Sequence, residues 1–235
     1  MAEETPQRLS RSLRRQCDSL GVRVTAVEMA RSNEGWIVGE ATYRRPEPAA
    51  LALLCQSGWI GACCEGGPIL LLIKSACFEM LARLNQFGRG DTVTRYLEAQ
   101  FTIHAAHTGP LIDTVGDCPL SQILQSFDEI YESPFIRENY PGVTRELIKA
   151  LHRALGAKLP DVTRRFAADP YSYRRGWPDI TAVRGDQLLL QEVKTQDRLH
   201  GSQIATISDI VLPAGLPCEV IQLVPSVERF RRSPE

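Results

Sequence analysis

Between Gly66 and Gly176 the apolar residues recur at helical spacing, and after Gly176 they run at strand spacing. Ahead of that, residues 5–20 (TPQRLSRSLRRQCDSL) predict a helix with a basic face of Arg8, Arg11, Arg14 and Arg15. The runs 22–30 (VRVTAVEMA) and 35–44 (GWIVGEATYR) read as strands, and Ser32-Asn33-Glu34-Gly35 predicts a turn that joins them as a hairpin. Residues 46–58, opened by Pro46 and Pro48, read as helical or irregular. Helices are predicted over 67–85, 91–105 and 119–132, and another from Thr144, a good N-cap, to Leu155, where Gly156 ends it. Asp179–Val183 and Gln187–Lys194 read as two strands around the turn Arg184-Gly185-Asp186. A helix near 201–211 and a strand at 218–224 (CEVIQLV) complete the pattern. There is no internal repeat, low-complexity segment or strong linker. The order of elements predicts an α/β fold, a mixed central sheet flanked by helices.

Composition narrows the class without naming a partner. The 235 residues, 43% hydrophobic and 23% charged, suit a folded globular chain long enough for a sizeable core. A net charge of −1 supplies no global positive field for nucleic acid, so any such surface must be local. Residues 144–175 offer one: Arg145, Lys149, Arg153, Lys158, Arg164, Arg165, Arg174 and Arg175 stand against Glu146, Asp161 and Asp169. Seven cysteines, an odd number without a CxxC, suit reduced thiols rather than a disulfide framework or a zinc site. The four histidines (104, 107, 152 and 200) lack ligand spacing. MAEETPQRLSRS has no apolar core of a signal peptide. The longest apolar stretch, ILLLIKSACFEML, carries Lys74 and Glu79 and is too short to span a bilayer. A cytoplasmic protein with no membrane partner is expected.

Candidate chemistry sits at the ends of the two late strands. In a hairpin, Asp179 lies near Glu192 and Lys194. The latter two are two residues apart in one strand and share a face, while Val193 points away. Each charge has an ordinary reading: Asp179 as a cap after Pro178, Glu192 with Lys194 as a strand-end ion pair. Together they point to a cation site. Two close carboxylates repel unless a cation lies between them, and oxygen ligands with open positions suit Mg²⁺ or Mn²⁺. Lysine adds a point charge that orients water and offsets charge on phosphate. That equipment suits metal-assisted phosphodiester hydrolysis.

Pro178-Asp179 followed by Glu192-Val193-Lys194 matches the PD-(D/E)XK nuclease pattern. Gly176 before it, with Asp197-Arg198-Leu199 and Gln203 after it, resembles the VRR-NUC group. In that group the trailing segment is one residue longer and has Ser where this chain has His200. FAADPYSYRRGWPD (166–179) resembles the lead into the motif in the Fanconi-associated nucleases. GWIGACCEGGPILLLIKSACFEML (58–81) resembles their Gly-rich, Glu-containing turn before a long apolar helix, and YLEAQFTI (96–103) a helix that follows. The likeness runs over residues 55–225 and lacks the accessory regions of the long eukaryotic members.

The resemblance implies a restriction-endonuclease-like PD-(D/E)XK core with added helices. It divides the chain into a segment 1–54 of unassigned role packed on the core, a nuclease domain at 55–225 and a loose basic tail at 226–235. It further implies a Mg²⁺- or Mn²⁺-dependent deoxyribonuclease, endonucleolytic or 5′-exonucleolytic, acting on branched or 5′-flap DNA in repair. Glu65, Asp179, Glu192 and the Val193 carbonyl would hold the cation, and Lys194 would activate water. Arg174, Arg175, Arg198 and Gln203 are the candidates for substrate contact. Gln203 reads equally well as a strut between helix and sheet. Glu65 has an alternative as an acid before a helix start, with Glu146 its rival for the third carboxylate. The alternatives for function are a Holliday-junction resolvase-like homodimer, a toxin-type DNase with an immunity partner, and an inactive DNA-binding module. A nucleoid setting, or a nuclear one in a eukaryotic cell, goes with the DNA readings.

Overall fold

The structure, a computed structural model, describes residues 9–226. At its centre is a five-stranded mixed sheet in the order β1-β7-β6-β5-β4. β5 (Ile180–Arg184) and β6 (Gln187–Lys194) form the antiparallel pair expected from the late apolar runs. β7 (Cys218–Pro225) lies parallel to β6, and β1 (Arg23–Met29) parallel to β7. β4 (Ile60–Cys63) pairs antiparallel with the far side of β5.

Two strand assignments differ from expectation. The run 22–30 joins the main sheet as β1; the predicted Ser32–Gly35 turn is present, but pairing across it is confined to the Arg31↔Trp36 bridge and the Ile37 N to Ala30 carbonyl bond, and the extended hairpin is β2 (Trp36–Val38) against β3 (Ala41–Tyr43). The reason is the open edge of β7, a largely buried strand whose backbone N–H and C=O groups need partners. Seven residues of β1 satisfy that edge, which the three-residue β2 and β3 cannot. The Gly-rich stretch before Glu65 is likewise a strand. A Cβ on Gly61 would sit 2.7 Å from the Thr181 carbonyl oxygen, so glycine here permits close strand pairing.

Helices cover both faces. α3 (Gly67–Leu84) is buried along residues 67–78 and packs against α6 (Thr108–Asp117), α7 (Leu120–Tyr131) and α9 (Arg145–Leu155). Thr144 caps α9 as predicted, its hydroxyl accepting from Leu147 N at 3.1 Å. The helix expected over 91–105 is broken into α4 (Arg89–Thr94) and α5 (Leu97–Ile103). Buried Lys74 draws off the Val93 and Arg95 carbonyls, at 2.6 and 2.9 Å, and stops the ladder there. Sequence periodicity missed α6, α8 (Pro134–Asn139) and α10 (Leu159–Ala168). Pro134 and Pro160 open the last two from the first turn, where proline favours a helix.

On the opposite face, α2 (Pro46–Gln56) and the β2–β3 hairpin pack Trp36, Val38, Ala49 and Ala50 onto Ile180, Ala182, Val193 and Ile221. Segment 1–54 thus supplies both a strand and a cover to the sheet. α1 (Arg11–Leu20) and α11 (Gly201–Thr206), the latter continued by a wider turn through Val211, meet around Leu13, Cys17, Leu199 and Ile207. The first part of the 5–20 helix, with Arg8, and the tail from 227 onward lie outside the described residues. No helix among the described residues is long and apolar enough to cross a membrane.

Candidate active site

Register brings the charges together. The β4–β5 ladder ends at Cys63↔Ile180, and the β5–β6 ladder at Ile180↔Gln191. Carried one step further, the two ladders set Cys64, Asp179 and Glu192 in a row across three strand ends, with Glu65 next along the chain. On β6, Leu188, Leu190, Glu192 and Lys194 share one face. The two leucines belong to the helical core, and the two charges continue their row at the strand end.

Glu192 is fully buried and Lys194 nearly so. Glu192 Oε1 accepts from Lys194 Nζ at 2.8 Å and from Gln203 Nε2 at 2.5 Å. Gln203 Oε1 in turn accepts from Lys194 Nζ at 3.1 Å and from His200 N at 2.9 Å. Both ends of the Gln203 carboxamide are therefore engaged inside the protein, and the strut reading describes its contacts. His200, the departure from the family pattern, occupies the N-cap of α11 and is held there by Gln203. Asp179 Oδ2 accepts from Val193 N at 2.9 Å.

The remaining oxygen, Glu192 Oε2, is buried without a hydrogen-bond partner. Burial raises the Glu192 carboxyl to about 8, and the neighbouring Asp179 pushes it the same way. Burial also raises Asp179, opposed by the hydrogen bond from Val193 N. An orphaned carboxylate oxygen beside a second carboxylate whose pKa is also raised leaves place for a positive charge beyond that of Lys194, which engages only Glu192 Oε1. Its donors are all oxygen, and they fit a hard divalent cation.

Two close backbone approaches bring the other walls to this point. Gly66 (φ 76°) lies against Trp177: a Cβ there would be 2.3 Å from the indole ring. Gly176 (φ 81°) lies against α11, where a Cβ would be 2.2 Å from the Ser202 carbonyl oxygen. The turn after β4, the Gly176–Asp179 loop and the start of α11 are thereby pressed together. Glu65 is held at φ 40° in that turn, a left-handed conformation that costs a non-glycine residue about 1–3 kcal/mol. It is exposed and lines, with Asp179, a cleft of about 390 Å³. Asp179, Glu192 and Lys194 are brought together, whereas Glu65 stands in the wall of the cleft. Among the described residues, no three His, Cys, Asp or Glu side chains form a ready-made metal cage.

Of the arginine candidates, Arg174 lines the cleft, and Arg175 and Arg198 are exposed. The basic run 144–175 is less open than its composition implies. Arg145, Arg153, Arg164 and Arg165 each pair with a carboxylate. Glu146 is exposed on α9 and does not line the cleft. Sequence reasoning missed Arg45, Glu47, Glu138 and Tyr140, which line it. Glu47 is close enough to push the Asp179 carboxyl upward. In the sequence it carried no signal beyond that of an acid in the first turn of a helix.

A mixed sheet whose central antiparallel pair ends in Asp and Glu-x-Lys, covered by helices on both faces, is the restriction-endonuclease-like α/β architecture. The same fold occurs in crystal structures of paFAN1, a Fanconi-associated nuclease. One, bound to 5′ flap DNA with a 2-nucleotide flap and a gap, matches with a TM-score of 0.62 at 19% identity. Another, with a 1-nucleotide flap and a gap, matches with a TM-score of 0.58 at 20% identity. Each match covers 88% of this chain and 38% of the paFAN1 chain, so the likeness of fold spans less than half of the larger protein. No family model matches the sequence, nor does any curated protein.

Proposed function

We propose that the chain is a DNA nuclease that hydrolyses phosphodiester bonds in branched or 5′-flap DNA with Mg²⁺ or Mn²⁺. The observation that carries this reading is the meeting of Asp179, Glu192 and Lys194 at the ends of β5 and β6, beside a solvent-open cleft. The fold shared with paFAN1, whose crystal structures hold 5′ flap DNA, supports the choice of substrate.

Asp179, Glu192 and the Val193 carbonyl would hold the cation, with Glu65 completing the set from the cleft wall. When bound, the cation supplies charge stabilisation at phosphate and lowers the pKa of water. In an antiparallel pair, one residue's N–H and C=O point to the same neighbour. Val193 N donates to Asp179, so its carbonyl faces the same side, past the end of β5. Lys194, held by Glu192 and Gln203, would orient the attacking water and offset charge on a phosphate oxygen. Arg174 takes a neighbouring phosphate from the cleft wall, and Arg175 and Arg198 extend the contact outside it.

The test is cleavage of flap, four-way-junction and linear duplex DNA in Mg²⁺, Mn²⁺ or EDTA. Flap or branched DNA should be cut with either metal and stay intact in EDTA. Asp179→Ala should retain DNA binding and lose about 100-fold or more of the rate. A wild type that binds DNA and cuts none of the three substrates identifies an inactive binding module instead. Equal cutting by wild type and Asp179→Ala removes this site from the chemistry.

A further inference from the structure

We propose that Tyr171 and Arg174 form a stacking platform for an unpaired nucleotide at the mouth of the cleft. The platform rests on the nuclease reading above and makes it more specific: the strand reaches Asp179 next to a single-stranded segment. Both residues lie on the turn that leads into the Pro178-Asp179 loop. The Tyr171 side chain is 49% exposed, and the Arg174 guanidinium lies over its ring at 5.4 Å from the centroid. Arg174 also lines the cleft with Asp179, and it makes no ion pair with a carboxylate among the described residues.

The turn is anchored around these two side chains. Ser172 N donates to Asp169 Oδ1 at 3.1 Å, and the Tyr173 hydroxyl donates to Asp209 Oδ2 at 3.0 Å. Trp177 Nε1 donates to the Tyr173 carbonyl at 2.8 Å, and Thr206 Oγ1 to the Arg175 carbonyl at 2.9 Å. The backbone that carries Tyr171 and Arg174 is thereby fixed, and the two exposed side chains meet in the cation–π contact, so binding loses less entropy in fixing them. A second aromatic pair is tied to the cleft through one of its lining residues. Tyr96 and Phe135 have ring centroids 5.4 Å apart, and the Tyr96 hydroxyl donates at 3.0 Å to Asn139, itself a lining residue.

Aromatic faces beside a guanidinium match the alternation of base and phosphate along a single strand. A paired base hides both faces in the duplex stack, so the ring takes an unpaired one. The open face of Tyr171 receives the base while Arg174 reaches the adjoining phosphate.

Fluorescence anisotropy in EDTA tests this without cleavage. One labelled duplex carries a 5′ thymidine tail, and its twin carries a tail of the same length made of abasic sites. Wild type should bind the thymidine tail at least about five-fold more tightly, the lower end of base–aromatic stacking. Tyr171→Ala should bring that ratio to one, and Tyr171→Phe should keep it, with unchanged circular dichroism in both. Equal affinity of wild type for the two tails, or a ratio that survives Tyr171→Ala, overturns the platform. A wild type that binds neither DNA overturns the nuclease reading itself. A wild type that cuts flaps yet ignores the bases of the tail overturns the platform alone.

Discussion

Glu192 lies at the intersection of every constraint in the site: buried, hydrogen-bonded through one oxygen, orphaned at the other, and next to a second carboxylate. Its folded pKa of about 8 stands above the ordinary 4.5, so between those values the folded state holds a proton that the unfolded state has lost. Stability of the metal-free protein should therefore fall as pH rises from about 4.5 to about 8. A cation replaces the proton, so Mn²⁺ should raise Tm more at pH 8 than at pH 5.5. Thermal melts at the two pH values with and without MnCl₂ check this, and Glu192→Gln should flatten both dependences. Gln203 acts one step behind, orienting Glu192 and Lys194 together. Gln203→Leu should cost about 10–100-fold in cleavage rate while tail-independent DNA binding persists, as measured by kcat beside anisotropy.

Single elements matter through how closely they approach one another. The turn carrying Glu65 reaches the site only because Gly66 lets Trp177 lie where a Cβ would stand. Gly66→Ala should cost at least about 2 kcal/mol, from the left-handed φ and the overlap with the indole. It should also lower cleavage by moving Glu65 from the Asp179 loop; urea melts and rate measurements on one preparation separate the two effects. Neighbours also explain which elements were readable in advance. β5, β6, α3, α7 and α9 followed from local periodicity, capping and turn residues. The break between α4 and α5 did not, because Lys74 from α3, remote in sequence, takes the Val93 and Arg95 carbonyls there, beside Gln100 on Thr92 and Arg95. β4 was hidden by its glycine, Gly61, whose purpose appears only with β5 alongside.

For the molecule as a whole, residues 9–54 are integral to the sheet layer and its cover. β1 closes the edge of β7, and α2 with the β2–β3 hairpin covers Ile180, Ala182, Val193 and Ile221. A chain beginning at residue 55 would expose that apolar face and a buried strand's edge. It should fail to give a soluble cooperative domain, whereas the full chain should melt in one transition; size-exclusion chromatography and calorimetry compare them. Segment 1–54 also brings Glu47 to the cleft, so the loss would reach the site as well as the scaffold.

Asp179, Glu192 and Lys194 were readable before any fold was known, because a hairpin and the two-residue period of a strand are local and force these groups to one rim. The same residues carried the metal and phosphate chemistry, which depends on the kind of donor and its spacing. Glu65 entered through family resemblance, and only its packing against Trp177 shows how it arrives at the cleft. Arg45, Glu47 and Glu138, the pairing of Arg145 with Asp128 and of Arg153 with Asp186, and the parallel seat of β1 had no local mark. The cleft lining and the seat of β1 depend on contacts between residues far apart in the chain, and periodicity along one segment carries no information about which distant segment will lie beside it.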